Sequence, residues 1–323
     1  MNETGLVFGP VPSRRLGRSL GINNIPPKIC TYACVYCQVG NTIRLQVDRQ
    51  YFFSPAEIFQ EVSREVRLAH AAGETIDYLT FVPDGEPTLD LRLGESIATL
   101  QSLAIPIAVI SNGSLITSSA VREDLKSANW VSLKVDAVTE KTWRRVNRPH
   151  GRLVLKDILE SMLIFRDQFP GDLATESMLV GGYNDDLESI EKTARFLEKL
   201  KPSTAYISIP TRPPAIAPLH PPPPDRINTA YQIFSGYLDS VELITGYEGN
   251  AFSSTGDCKT DILNITAVHP MRADAVEALL QKNGDDWQTI HALWASGRLQ
   301  QASFNGYTYF LRVGARKRNQ EKV

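Results

Sequence analysis

The chain of 323 residues is 42% hydrophobic and 22% charged, with a formal net charge of −2 at pH 7. This is the balance of an ordinary soluble protein, long enough for one large α/β domain and a small appendage, and it gives no global sign of a nucleic-acid partner. No apolar run approaches membrane-spanning length, and the opening MNETGLVFGPVPSRR lacks the basic-then-apolar layout of a signal peptide. The expected compartment is the cytoplasm, where reducing conditions suit free thiolates and argue against disulfides.

The first distinctive stretch is GPVPSRRLGRSLG, residues 9–21, punctuated by glycine and proline and carrying Arg14, Arg15 and Arg18. These guanidinium groups could meet phosphate or carboxylate at a barrel mouth, or form a solvated face or internal salt bridges. Three of the four cysteines follow within eight positions, Cys30, Cys34 and Cys37, at C-x3-C-x2-C spacing. No histidine lies nearby to complete a tetrahedral zinc site. Thiolates are preferred ligands of iron–sulfur clusters, and a cubane held by three cysteines leaves one iron open. By spacing alone two other readings stand: zinc completed by a distant Cys258 or histidine, and three unliganded buried cysteines.

Ser54-Pro55-Ala56-Glu57 predicts a helix start, and Ile58, Val62 and Val66 carry one buried face to about Ala72. Tyr78 to Val82 reads as a strand ending in the loop Pro83-Asp84-Gly85-Glu86-Pro87. The alternation repeats, with strands at Ile105 to Ile110, Trp130 to Val135, Ser177 to Val180 and Ala205 to Ile209. Candidate helices fall near 90–102, 117–127, 139–147, 154–168 and 187–199. With a strand before the cysteines this makes about six βαβ units. The expected fold is α/β, a partial (β/α)6 TIM-type barrel with its site at the C-terminal strand ends. Asn112, Lys134, Asp136, Glu176 and Asn184 stand at such ends, as site residues or as helix caps and loop partners. Lys134 could serve as a Schiff-base nucleophile or as a cation holding a carboxylate.

Residues 210–224 contain eight of the twenty prolines and predict extended, polyproline-like chain. This segment either closes over the barrel mouth with Arg212 and His220 inward or carries the chain across the surface. A helix near 225–237 and a strand at Val241 to Thr245 complete the barrel domain, 1–247. A linker is expected over 248–268, where Cys258 is a hydrogen-atom donor, an anchor, a ligand or an incidental buried residue. Helical periodicity at Asp274 to Gln281 and Asp286 to Ala295, then a hairpin about Asn305-Gly306, give a winged-helix-like module at 269–313. A basic tail, 314–323, is expected to be disordered. Such a module binds nucleic acid or protein, or recruits a peptide, and its acidic helices weaken the nucleic-acid case.

The cysteine spacing, with Tyr36 directly before the last cysteine, resembles the signature of the radical S-adenosylmethionine (SAM) superfamily. The resemblance implies a [4Fe–4S] cluster on Cys30, Cys34 and Cys37, with SAM on the open iron, one-electron cleavage to a 5′-deoxyadenosyl radical, and hydrogen abstraction from a substrate. Gly85-Glu86 matches the pair that holds the SAM amino group. Tyr36, Asn112 and Asp136 join it as implied cofactor-binding residues, with Lys134 and Cys258 as catalytic candidates and a flavodoxin or ferredoxin as electron donor. GPVPSRRLGRSLG followed by CTYACVYCQ is similar to the branch grouped with the tRNA wyosine (imidazoline-forming) enzymes. Those use a second cluster with its own cysteines, and only Cys258 is left here, which argues against their reaction. The implied substrate is an RNA base, a peptide side chain or a small metabolite. The alternative from another class is a non-catalytic metal-binding protein whose C-terminal module binds nucleic acid or a protein partner.

Overall fold

The structure is a computed structural model that describes residues 5–313, apart from 217, 247, 248, 251, 253, 255 and 269. It begins with a hairpin that the turn residues conceal in the sequence. Strands β1 (Val7–Ser13) and β2 (Gly17–Ile22) pair antiparallel, with an irregularity between Phe8 and Val11. Pro10 and Pro12 have no N–H to give, and β1 is an edge strand, where that loss is tolerated. Two-residue strands β3 (Ile29–Cys30) and β4 (Arg44–Leu45) follow, with the cysteines around and between them. Helix α1 (Pro55–Ala71) then starts on a complete capping box, the Ser54 hydroxyl accepting from Glu57 N and the Glu57 carboxylate from Ser54 N.

The chain continues through β5 (Tyr78–Phe81), α2 (Leu93–Leu100), β6 (Ile107–Ser111), α3 (Ser119–Lys126), β7 (Trp130–Lys134), α4 (Glu140–Asn147) and α5 (Leu155–Gln168). It closes the main sheet with β8 (Asp172–Met178), α6 (Leu187–Leu200), β9 (Thr204–Ser208), α7 (Pro224–Ser235) and β10 (Val241–Ile244). The strand order is β1-β2-β5-β6-β7-β8-β9-β10, and every pair from β2 onward is parallel. Six crossovers therefore join seven parallel strands, which is the partial barrel the sequence predicts. One strand lies elsewhere than expected: β8 spans 172–178, not 177–180. Its Thr175, Glu176 and Ser177 are polar yet buried, so it carries no apolar run.

Helices cover the outer face of the sheet and share one large core with it. On the inner face, Leu16 from the β1–β2 turn packs with Ala108, Trp130, Ala174, Tyr206 and Ile244. This turn fills the barrel floor. Arg14 on the same turn donates through Nη1 to the carbonyls of Ile244 and, at 2.9 Å, Gly246, tying the turn to the far edge strand.

The expected linker is helical from Cys258 on. Asp257 accepts from Thr260 N at 3.1 Å, and α8 (Cys258–Val268) buries Ile262, Leu263 and Ile265 against Phe8 and Val11 of β1. Capped and apolar on one side, this stretch covers the barrel's edge strand. After it come β11 (Met271–Arg272), α9 (Ala273–Asn283), α10 (Trp287–Ala295), β12 (Leu299–Phe304) and β13 (Tyr307–Arg312), with sheet order β11-β13-β12. Asn305 and Gly306 both have positive φ, 49° and 79°, as their hairpin turn demands. The winged-helix expectation falls on these elements, and the basic tail 314–323 lies outside the described residues. Among the described residues no helix is long and apolar enough to cross a membrane.

Candidate active site

The cysteine loop follows β2 at the C-terminal end of the parallel sheet and is held by the residues between its cysteines. Thr31 is fully buried, and its hydroxyl oxygen lies 2.7 Å from both Asn112 Nδ2 and Ser114 Oγ on the loop after β6. Tyr32 accepts from Trp143 Nε1 at 3.1 Å and meets that indole edge-on. Ala33 N and Val35 N donate to Asn147 O and Val146 O at the end of α4, at 3.1 and 2.9 Å. The Tyr36 hydroxyl donates to Asp136. With its other side chains anchored, the loop turns Cys30, Cys34 and Cys37 toward one cavity of about 320 Å³.

Gly85 and Glu86 line the same cavity from the loop after β5. Gly85 runs beside the start of the cysteine loop, so close that a Cβ there would stand 2.0 Å from the Ile29 carbonyl oxygen. Only glycine fits that approach. The Glu86 carboxylate is 1% exposed. Its Oε1 accepts from Thr88 N and Oγ1 and from Ser111 Oγ, and its Oε2 from Asn112 N at 2.8 Å. Burial pushes this carboxyl up in spite of those donors. Oε2, with one donor, keeps acceptor capacity toward the cavity.

Lys134, at the end of β7, lines the cavity and ion-pairs with Glu176 at 3.0 Å, 5.4 Å from the Tyr36 ring centre. Burial lowers its pKa, but Glu176 and Asp136 outweigh that and raise it, so the ammonium stays charged. Glu176 sits inside β8 between Lys134 and Arg15 and accepts from Ser208 Oγ at 2.9 Å. Burial pushes it up, and the two cations together hold it well below the ordinary carboxylate range.

Other expected site residues have different surroundings. Asp136 stands behind Tyr36, accepting from Met178 N at 2.8 Å and Asn147 Nδ2 at 2.6 Å; it locks the cysteine loop and does not line the cavity. Asn184 satisfies backbone, accepting from Val180 N and donating to Asp136 O and Met178 O. Cys258 lies in the core between α8 and the C-terminal helices, away from the cavity; burial, then Asp285 and Asp261, push its thiol up to about 12. A protonated, enclosed thiol there does not reach the other cysteines' site. In the proline-rich segment Arg212 lines the cavity, whereas His220 is exposed. Between them Ile216 N donates to Val35 O at 3.3 Å and Leu219 packs with Val35 and Tyr36, so the segment braces the cysteine loop.

Sequence reasoning missed Asn147, Thr31, Thr88 and Ser111. Asn147 is the last residue of α4, at the end of the candidate helix 139–147, where nothing in the sequence sets it apart from an ordinary helix-end residue, and it clamps the cysteine loop through backbone and side chain. Its Nδ2 also reaches Cys34 Sγ at 3.5 Å, and Asn112 Nδ2 reaches Cys30 Sγ at 3.6 Å. Two amide donors aimed at sulfur suit thiolates. Burial pushes all three thiols up, Cys34 to about 12, so they ionise against a cation. Three soft ligands, sulfur-directed donors and a cavity at one side fit an iron–sulfur cluster with an open position.

Comparison with known proteins bears on the family and the fold. The family profile described as the radical SAM superfamily matches residues 24–197. The UPF0026 protein MJ1312 of Methanocaldococcus jannaschii is 44% identical over 317 residues, 97% of this chain and 98% of that protein. A radical SAM methyltransferase from Sphaerobacter thermophilus shares the fold with a TM-score of 0.54 at 18% identity, over 70% of this chain and 66% of that one. TYW1 with a lysine-pyruvate adduct bound does so with a TM-score of 0.52 at 16% identity, over 68% and 74%.

Proposed function

This chain belongs to the radical SAM superfamily, and on that premise we propose that it cleaves S-adenosylmethionine reductively at a [4Fe–4S] cluster bound by Cys30, Cys34 and Cys37. The superfamily implies both cofactors. When bound, they would supply one-electron cleavage of the sulfonium C–S bond and, through it, hydrogen-atom abstraction from the substrate. The observation that carries this reading is that all three thiols face the cavity lined by Gly85 and Glu86.

In this reading Glu86 Oε2 accepts from the SAM amino group, and the backbone at Gly85 brings that oxygen close to the cysteine loop. Asn112 and Asn147 donate toward cluster sulfurs. Tyr36 forms a cavity wall fixed by Asp136, which positions it from behind. Lys134 is, among the described residues, the lysine lining the cavity; held charged by Glu176 and Asp136, it acts as a fixed cation for a carboxylate rather than as a nucleophile, unlike the lysine adduct in the TYW1 structure. The electron comes from a flavodoxin or ferredoxin, and four free cysteines suit the reducing cytoplasm. The C-terminal helices and hairpin form a winged-helix-like module that caps the edge of the barrel.

Metal analysis of protein purified without air tests the proposal. About four irons and four sulfides per chain, lost in Cys34→Ala, are expected. One zinc per chain in place of iron would overturn it.

A further inference from the structure

Among the described residues, more cationic than anionic side chains line the cavity. Arg14, Arg15, Lys134 and Arg212 line it, against Glu86 and Glu176. Glu176 already serves both Arg15 and Lys134, and Glu86 is held by amide and hydroxyl donors. Arg14 differs from Arg15 and Lys134. Its Nη1 donates to the carbonyls of Ile244 and Gly246, and among the described residues it has no carboxylate partner. Its Nε and Nη2 make no hydrogen bond there either. A guanidinium cannot shed its charge, and two carbonyl dipoles offset only part of the hydration that this partly buried cation gives up. Burial, then Arg15, push its pKa down, against the opposing pull of Glu176.

We propose that Arg14 receives an anionic oxygen group, a carboxylate or a phosphate, of the substrate, so that this cavity selects acidic molecules. The two unused nitrogens of its fork match the paired oxygens of either group. The position suits a substrate handle. Arg14 sits on the β1–β2 turn, which forms the barrel floor through Leu16, while the cysteines and Glu86 come from loops after β2 and β5 at the C-terminal end. A molecule held by its anionic end at Arg14 extends toward the cysteines. The inference rests on the radical SAM reading for where the chemistry occurs, and not for the existence of the anion seat.

The test is calorimetric titration of the full chain with inorganic phosphate in one arm and succinate in the other, at constant ionic strength, with SAM binding measured in parallel. Wild-type protein is expected to bind one probe at a single site, Arg14→Gln to bind it roughly tenfold or more weakly, and SAM affinity to be the same in both. Phosphate or succinate binding identifies which anion the substrate carries. Because Arg14 also ties the turn to β10, a second measurement needs no variant: phenylglyoxal labelling of Arg14 in wild-type protein, expected to slow when the bound probe is present. Binding of neither probe, equal binding by Arg14→Gln, labelling of Arg14 that ignores the probe, or loss of SAM affinity in the variant would overturn the proposal. The last outcome would reassign Arg14 to the SAM carboxylate. Anion binding in protein that carries one zinc per chain in place of iron when purified without air would instead overturn the reaction and leave the anion seat standing.

Discussion

Among single residues, the ones that fix the cysteine loop are polar groups with more than one partner. Asn147 is the clearest, since one amide reaches both Asp136 and Cys34. Asn147→Leu removes a hydrogen bond to a buried carboxylate, at a cost of about 1.5–3 kcal/mol to stability. It also removes a donor to sulfur, which favours the reduced cluster, so an EPR-monitored redox titration should find a lower potential with iron content retained. A potential equal to wild type would deny the contact. Asp90 offers a test of buried charge outside the site. Burial pushes it up to about 6, although Arg92 N and Asn24 donate to it. An unfolded aspartate titrates near 4, so between about pH 4 and 6 the folded chain holds the extra proton, and stability falls as pH rises, by at most about 1.4 kcal/mol per unit. Urea unfolding should therefore show Asp90→Asn gaining on wild type between about pH 4.5 and 6.5; a constant difference would remove Asp90 as the cause. None of these roles was legible in advance. Asp90 and Asn147 fall at the ends of the candidate helices 90–102 and 139–147, where no spacing marks a buried polar contact, whereas the cysteines and Gly85-Glu86 carry spacing that could be read.

For whole elements, legibility followed local chemistry. The Ser54 capping box and the Asn305-Gly306 turn were plain because cap and turn geometry are settled by neighbouring residues. Ser54→Ala should cost about 1 kcal/mol in urea denaturation, within the range for lost caps. The hairpin β1–β2 was hidden because its glycines and prolines signal loops, yet an edge strand tolerates them. Strand β8 was misplaced because Glu176 is satisfied by Arg15 from a turn 161 residues earlier and by Lys134, partners that no local window contains. Gly85 shows how two such elements constrain each other. Gly85→Ala drives a methyl into the Ile29 carbonyl, separating the Glu86 loop from the cysteine loop, so reconstituted iron per chain should fall well below wild type. Full iron loading in that variant would show that the loops can part without harm to the site.

At the scale of the molecule, the partial barrel came from counting alternating strands and helices, but its closure did not. The β1–β2 turn plugs the floor, the proline-rich segment braces the cysteine loop, and α8 covers β1; each depends on contacts distant in sequence. A chain ending before Cys258 would expose Phe8, Val11 and an edge strand, and should be recovered mostly as aggregate by size-exclusion chromatography. Monodisperse truncated protein would contradict that coupling. These contacts gather three thiols, one acidic loop and a cationic floor around a single cavity, and the central claim is that this cavity cleaves SAM. The direct measurement is 5′-deoxyadenosine formed by anaerobically reconstituted protein with SAM and dithionite. Product is expected from wild type and none above background from Cys34→Ala. No product from wild-type protein with a full cluster and bound SAM would contradict that claim.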